Sequence, residues 1–461
     1  MKFRQFGLMT TFLILVAALS GCAPLMQYRT QYDLCISPSR EFSPNCDTHA
    51  IQQMPSTDGA SYLLGFIEFD DRGQLWDRKQ MGSVIDKLTT EAANKDLLMM
   101  VFVHGWKHSA APHDGNIETF RKILSGLSED ENHISQLSGR PARQVAGVYL
   151  GWRGGSVTVP VVENLTFWDR KNTAQNVGHG GVTEVLNRLE RLKLDKDSIY
   201  EGGSATQLVV IGHSFGGAVV HTALAQILES RFIHTTGPSG TQGNVDGFGN
   251  LVVLINPAFE AGQFALLSDM SAERGSYFGS QSPVMAILTS EADYATRYAF
   301  PAGRRLSTLF ESTRDTKRWN AVTRQEETIS EDEANVTAVG HFGPYRTHRL
   351  YPQNEASRGS TPELSSRESV RATLIAASGW KNDKPGSKIP FASLTLERTD
   401  TSAGREPYLV IYVDKSLITD HNDIDDQRII DFLKRLVLIA TLSDKHKGLL
   451  YKTLGVSQSS Q

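Results

Sequence analysis

The sequence predicts an α/β protein with a mostly parallel, doubly wound sheet, and two features of the chain support this prediction. Apolar runs of strand length alternate with stretches in which apolar residues recur at helical spacing, as expected for strand–helix–strand units. The run 97–103 is apolar at every position, which is typical of strands that helices cover on both faces. The predicted strands are 61–69, 97–103, 145–150, 208–211, 251–255, 283–288 and 408–413.

The first 22 residues have the pattern of a secretory signal. Lys2 and Arg4 give a positive start, and the apolar run 6–19 is shorter than the roughly 20 residues that a membrane-spanning helix needs. The run ends in Leu19-Ser20-Gly21-Cys22, which resembles the lipobox of bacterial lipoproteins. The resemblance implies that residues 1–21 are removed and that Cys22 is lipidated. The alternative is an uncleaved anchor helix with an unrelated cysteine.

The residue after Cys22 bears on where the mature protein resides. It is Ala23 rather than Asp, which in Gram-negative lipoproteins favours the outer membrane. We therefore expect a membrane partner through an N-terminal lipid anchor, on the periplasmic side of the bacterial outer membrane.

Residues 22–60 predict an irregular tether, because they are rich in Pro, Ser, Gln and Asn and show no sustained period. This segment holds the other two cysteines of the chain, Cys35 and Cys46. In an oxidising periplasm they are candidates for a disulfide that closes a small loop. Two free thiols in a mobile tether are the alternative.

The predicted globular domain covers residues 61–445, with a large insertion at about 303–405 before the last strand. The insertion is polar and rich in Ser and Arg, with weak strand patches such as 336–339, and we expect a cap over the site or irregular loops. Residues 446–461 are expected to be a C-terminal tail. The predicted helices are 82–94, 117–127, 173–193, 218–228 and 425–442.

The central feature of the domain is Gly212-His213-Ser214-Phe215-Gly216, a G-x-S-x-G motif. A strand pattern precedes it and a helical pattern follows it, which is the context of a nucleophile elbow. Such a turn lifts the serine hydroxyl clear of the sheet, and the glycines let the strand and the helix approach closely. The motif therefore predicts Ser214 as a catalytic nucleophile.

A serine nucleophile needs a histidine base and an acid that orients the histidine, in the chain order Ser, acid, His. Asp293 is the predicted acid, chosen over Glu291, because it follows the strand 283–288 at the carboxyl end where sites of parallel sheets gather. His421 is the predicted base, since it lies between the last strand and the last helix. His341 is the alternative base.

An acyl-transfer site also needs donors for the negative oxygen of the tetrahedral intermediate. One predicted donor is the N–H of Phe215, and the other is the N–H of Trp106 in the loop 104–106 after an earlier strand. We expect His104 to fix this loop. The neighbouring His108, His113 and Asp114 lack the spacing of a zinc motif, so no metal is expected.

Residues 151–155 are rich in glycine but match neither a P-loop nor a dinucleotide-binding motif. We expect this segment to line the pocket, with Arg153 paired to a carboxylate or directed towards an acidic substrate group. No cofactor is predicted.

Residues 101–106 and 212–217, together with Asp293 and His421, make the chain resemble the α/β-hydrolase superfamily, specifically its lipase and esterase-like members. The resemblance covers residues of about 60–300 and 406–445. It implies the α/β-hydrolase fold and cleavage of a carboxylic ester, from a small-molecule or lipid substrate, through an acyl-enzyme.

Two alternatives to an esterase stay open at this point. One is a peptidase or amidase that uses the same triad, and the other is a binding lipoprotein that keeps the fold without turnover. A formal net charge of -4 gives no basic surface for a nucleic acid, so no nucleic-acid partner is expected.

Overall fold

One large sheet organises the computed structural model, which describes residues 24–39, 44–56, 60–155, 167–199, 205–236, 242–308, 310–354, 364–381 and 384–456. The predicted signal peptide and Cys22 lie outside these residues. The strands of the described part are β1 (Gln31–Ile36), β2 (His49–Pro55), β3 (Ser61–Glu68), β4 (Leu97–Val103), β5 (Gln144–Gly151), β6 (Gln207–His213), β7 (Leu251–Ile255), β8 (Met285–Ser290), β9 (Thr316–Asn320), β10 (Gln325–Ile329), β11 (His348–Pro352), β12 (Lys388–Phe391), β13 (Leu394–Arg398) and β14 (Tyr408–Val413).

Twelve of these strands form one sheet in the order β1-β2-β3-β5-β4-β6-β7-β8-β14-β11-β13-β12, and β9 pairs with β10 in a separate hairpin. The strands from β3 to β11 in that order are all parallel. Antiparallel pairs occur only near the two ends of this sheet, between β2 and β3 and on either side of β13. The prediction of an α/β protein with a mostly parallel sheet is confirmed.

Helices cover both faces of the sheet. Alternate residues of β4 explain why: Leu97, Met99, Val101 and Val103 belong to one buried cluster, and the residues between them belong to the other. The first cluster includes side chains of the helices at 78–94, 181–199 and 215–234, and the second includes side chains of the helices at 115–138, 366–380 and 427–441. The helices of the described part are α1 (Arg78–Asn94), α2 (Gly115–Ser138), α3 (Phe167–His179), α4 (Gly181–Ile199), α5 (Phe215–His234), α6 (Ala265–Arg274), α7 (Phe300–Ser307), α8 (Glu331–Val336), α9 (Ser366–Trp380), α10 (Gln427–Thr441) and α11 (Asp444–Leu454).

A crevice is expected where the chain changes direction across the sheet. After β4 the chain crosses through α2 to β5 on one side, and after β6 it crosses through α5 to β7 on the other. β4 and β6 are neighbours, with Val103 opposite Gly212 at their carboxyl ends. Open α/β sheets bind their ligands at such a point. We call the edge formed by the carboxyl ends of the parallel strands the carboxyl edge.

The prediction of an irregular tether over 22–60 is wrong for residues 31–36 and 49–55. β1 and β2 lie there and extend the sheet beyond β3. Their polar composition hid them. The residues of β1 are exposed or half-buried, and in β2 the buried Gln52 amide donates to the Cys46 carbonyl at 2.8 Å and accepts from Arg121 at 3.1 Å. Hydrogen bonds of this kind make burial of a glutamine tolerable.

The expected insertion at 303–405 adds, in its described part, three strands to the sheet, together with helices and the β9–β10 hairpin. β11 pairs with β14, β13 pairs with β11, and β12 pairs with β13. Buried polar residues such as His348 and Arg398 interrupt the apolar pattern of these strands. The strands are therefore not recognisable from hydrophobic periodicity. The strand patch expected at 336–339 is also wrong, because α8 ends at Val336 and a 3₁₀ turn follows at Val339–His341.

Two further boundaries differ from the predictions. The single helix expected at 173–193 is two helices, because the chain turns at Gly180, where a Cβ atom would lie 2.4 Å from the Gly73 carbonyl oxygen. The expected C-terminal tail is helical as far as Leu454, and Leu450 and Tyr451 of α11 are buried against α2, α9 and α10. None of the helices in the described ranges is long and apolar enough to cross a membrane.

Candidate active site

Ser214 occupies the sharp turn between β6 and α5. Its φ is 56° and its ψ is -122°, a conformation that residues with a side chain rarely adopt. The N–H of Ser214 donates to the Ile255 carbonyl at 2.9 Å, which fixes the turn to β7. The flanking glycines are required, since a Cβ at Gly212 would lie 2.6 Å from the Gly216 carbonyl oxygen and one at Gly216 would lie 2.0 Å from the Val103 carbonyl oxygen.

The structure brings Ser214, His421 and Asp293 together in one hydrogen-bonded chain. Ser214 Oγ lies 2.6 Å from His421 Nε2, and His421 Nδ1 lies 2.8 Å from Asp293 Oδ1. A carboxylate can only accept, so the proton of the imidazole is on Nδ1 and Nε2 accepts from the serine hydroxyl. This is the protonation pattern in which His421 can take the proton of Ser214.

Asp293 is fully buried, but its surroundings stabilise the charged carboxylate. Burial by itself would raise the pKa of this carboxyl, yet the pKa is held below its ordinary value by His421 and by two donors of Thr296. The Thr296 N–H donates to Oδ1 at 3.1 Å, and the Thr296 hydroxyl donates to Oδ2. Asp293 can therefore stabilise a positive charge on His421.

The main chain of His421 is held by side chains from two strand ends. Its carbonyl oxygen accepts from His213 Nε2 at 3.0 Å and from Asn256 Nδ2 at 3.0 Å. Asn256, at the end of β7, also accepts from the Ser290 N–H at 3.0 Å. The N–H of His421 donates to Asp420 Oδ1 at 2.7 Å. The loop that carries His421 is thus fixed to β6, β7 and β8.

The loop after β4 lies directly against Ser214. A Cβ on Gly105 would lie 2.5 Å from Ser214 Cβ, so this position requires glycine. Trp106 follows it, and Phe215 begins α5 on the other side of Ser214. The two predicted oxyanion donors therefore belong to segments that meet at Ser214.

His104 fixes this loop. Its Nε2 accepts from the Trp152 N–H at 3.0 Å, its Nδ1 lies 3.0 Å from the Gly105 carbonyl oxygen, and its ring stacks on the Trp152 indole. The Trp152 indole N–H in turn donates to the His104 carbonyl at 3.0 Å. Burial lowers the pKa of His104 to about 4, which keeps the ring neutral.

The remaining polar residues of this region pair with each other. His108 Nδ1 lies 2.9 Å from Asp114 Oδ1, and the other Asp114 oxygen accepts from the Ser109 N–H at 2.9 Å. Arg153 is paired with Asp71, one of the two roles expected for it. Among the described residues, no group of three His, Cys, Asp or Glu side chains is arranged to hold a metal ion.

The alternative base, His341, lies on the far side of the acid. Its Nε2 is 3.0 Å from Thr296 Oγ1, the hydroxyl that donates to Asp293. Burial lowers the pKa of His341 to about 4. His341 thus contacts Asp293 through Thr296, while His421 contacts Ser214.

The cysteines are also accounted for, as far as the structure describes them. Cys35 and Cys46 are joined by a disulfide between β1 and the turn before β2. Cys22 lies outside the described residues, so its predicted lipidation stays a prediction.

Sequence reasoning missed three residues that hold the site, namely His213, Asn256 and Thr296. His213 is the variable position of the elbow motif, and Asn256 has a positive φ of 45° at the end of a strand. Both positions at strand ends could have suggested a role at the carboxyl edge. Their acceptor, a main-chain carbonyl 165 or more residues away, leaves no trace in the sequence.

Comparison of the chain with protein-family models, with curated proteins and with solved structures finds no match.

Proposed function

We propose that this chain is a lipid-anchored serine hydrolase of the α/β-hydrolase fold that cleaves carboxylic esters. The observation that carries the proposal is the chain of short contacts from Ser214 Oγ through His421 to Asp293, with distances of 2.6 Å and 2.8 Å. A buried serine, histidine and carboxylate in this geometry serve to make an alcohol nucleophilic at neutral pH.

The topology supports the same assignment. The nucleophile follows β6 and begins a helix, the oxyanion loop follows β4, the acid follows β8 and the base follows β14. All four segments leave the sheet at its carboxyl edge, and the chain order Ser, Asp, His is that of α/β-hydrolases.

In the first half of the proposed reaction, Ser214 Oγ attacks the ester carbonyl carbon while its proton passes to His421 Nε2. The N–H groups of Phe215 and Trp106 would donate to the negative oxygen of the tetrahedral intermediate. His421 then gives its proton to the departing alcohol, and an acyl group stays on Ser214. Asp293 balances the positive charge that His421 carries between these steps.

In the second half, water attacks the acyl carbon and His421 takes the water proton. Collapse of the second tetrahedral intermediate releases the carboxylic acid, and the proton returns to Ser214 Oγ. Losing one oxyanion donor would cost about 3 kcal/mol in each barrier. A loss of this size lowers the rate by about 10²-fold to 10³-fold.

The test is active-site labelling of the purified protein. A fluorophosphonate probe should label the wild type, and Ser214→Ala should abolish both labelling and hydrolysis of short p-nitrophenyl esters. Ser198→Ala, an exposed serine on α4, serves as the matched control and should behave as the wild type. Full labelling of Ser214→Ala would remove Ser214 from the role of nucleophile.

A further inference from the structure

The chain enters the fold at the carboxyl edge, close to the proposed oxyanion loop. The N–H groups of Tyr28 and Arg29 donate to the Glu68 carboxylate, each at 2.8 Å, where β3 ends. Arg29 is 1% exposed, and its Nε donates to the Ala110 carbonyl at 2.9 Å. The segment that follows residue 23 is thus fixed to the loop after β4.

The residues just before Tyr28 lie beside the same loop. Pro24, Leu25 and Met26 line a cavity of about 100 Å³ together with Lys107 and Trp152. Pro24 is the first residue that the structure describes, and Cys22 is two residues before it in the sequence, a length of chain that spans at most about 7 Å. A lipid on Cys22 would therefore emerge at the carboxyl edge. An uncleaved apolar segment at 6–19 would place a membrane at the same edge.

Exposed apolar side chains flank the proposed site on both sides. Near β3, Leu25 and Met26 are 52% and 48% exposed. Beyond β8, Tyr294, Tyr298 and Leu306 are 67%, 53% and 73% exposed, on the segment that follows Asp293.

The two groups lie near the ends of two strands that are well separated in the sheet, so together they can form an extended contact surface. β3 and β8 are five strand positions apart in the sheet, with β6 between them. At about 4.8 Å for each position, the ends of these two strands are roughly 24 Å apart. Amphipathic rings and aliphatic side chains of this kind are suited to the boundary between water and lipid.

We propose that the carboxyl edge rests on the surface of a lipid bilayer and that the substrates are esters of lipids presented by that bilayer. The anchor position and the two exposed apolar groups support the docking. The substrate class rests in addition on the proposed function. Proximity of the anchor to Ser214 would raise the local concentration of membrane-borne esters without any change in the triad.

The docking is tested without reference to catalysis. The full lipid-anchored chain is reconstituted in vesicles of phosphatidylcholine and phosphatidylglycerol, with an environment-sensitive dye on Tyr298→Cys or on Ile233→Cys. Ile233 is 58% exposed near the end of α5, and this helix of 20 residues extends about 30 Å away from Ser214. Spin-labelled lipids should quench the dye at 298 and leave the dye at 233 unquenched. Equal quenching at both positions, or none at 298, would overturn the proposal.

The substrate class is tested with esters in two physical states. Tyr298→Asp combined with Leu306→Asp should lower the rate on a lipid ester in vesicles at least 10-fold and leave the rate on soluble p-nitrophenyl acetate unchanged. Ile233→Asp should change neither rate. Equal rates of the double variant and the wild type on vesicles would refute the substrate class. A wild type that hydrolyses neither ester would refute the proposed function and would leave the quenching result intact.

Discussion

His213 Nε2 donates to the main-chain carbonyl of His421 at 3.0 Å, so the residue before Ser214 holds the loop that carries His421. Burial lowers the pKa of His213 to about 3, which keeps this ring neutral and confines it to hydrogen bonding. Asn256 donates to the same carbonyl oxygen at 3.0 Å. Two side chains at the ends of adjacent strands therefore position His421 together.

The first prediction follows from this shared acceptor. His213→Ala and Asn256→Ala should each lower kcat for a short ester by about 10-fold to 100-fold with little change in KM, because small displacements of a catalytic base are costly. Since either donor can partly hold the loop alone, the double variant should lose more than the product of the two single losses. Rate constants for the four proteins of this cycle are the measurement. Strictly multiplicative effects would show that the two donors act independently.

The second prediction distinguishes two carboxylates on one loop. Asp293→Asn should reduce kcat by about 10³-fold to 10⁴-fold, because an amide favours the wrong imidazole tautomer and cannot balance its charge. Glu291→Gln is the matched control, since Glu291 meets the exposed Arg349 at 3.5 Å, and its activity should stay within about twofold of the wild type. If Glu291→Gln proved the more damaging change, the assignment of the acid would be wrong.

The sequence predicts the strands inside the sheet well and the strands near its ends poorly. The bounds of β4, β7 and β14 match the predicted runs, because these strands are apolar at nearly every position and lie inside the sheet. β1 and β13 were missed, since strands near the ends of a sheet keep polar residues whose partners come from distant segments.

The site shows the same division. Ser214, Asp293 and His421 were chosen from their places after strands, and parallel strands bring their carboxyl ends to one edge. The supporting residues Asn256 and Thr296 bond to groups that only the folded chain brings near them. Their roles depend on distances of a few ångströms, which periodicity does not encode.

The third prediction compares two glycines. Gly105→Ala should inactivate the protein and lower the free energy of unfolding by about 1–3 kcal/mol, because the new methyl group would lie 2.5 Å from Ser214 Cβ. Gly82→Ala, within α1, meets no atom within 4 Å and should raise the free energy of unfolding by about 0.5–1 kcal/mol. Urea denaturation and ester hydrolysis measure both effects. A stable, active Gly105→Ala variant would contradict the close approach of the loop to the nucleophile.

A fourth prediction concerns Glu406, a buried carboxyl away from the triad. Burial raises its pKa from an ordinary 4.5 to about 7, against the hydrogen bond from Ser271 and the charges of Arg274 and Arg398. The Ser271 hydroxyl also lies 2.6 Å from the Tyr277 hydroxyl. Glu406, just before β14, thus forms a buried polar cluster with Ser271 and Tyr277.

The sign of its effect on stability follows from this raised pKa. Between pH 4.5 and about 7 the folded protein keeps a proton on Glu406 that the unfolded chain releases. The contribution of Glu406 to the free energy of unfolding is therefore complete below pH 4.5 and is lost as the pH rises to about 7. Glu406→Gln stays neutral throughout. Its free energy of unfolding relative to the wild type should therefore increase across this range by up to about 3 kcal/mol and then level off. Urea denaturation of both proteins at pH values from 4 to 8 checks this, and a difference that stays constant with pH would show that Glu406 does not hold the proton.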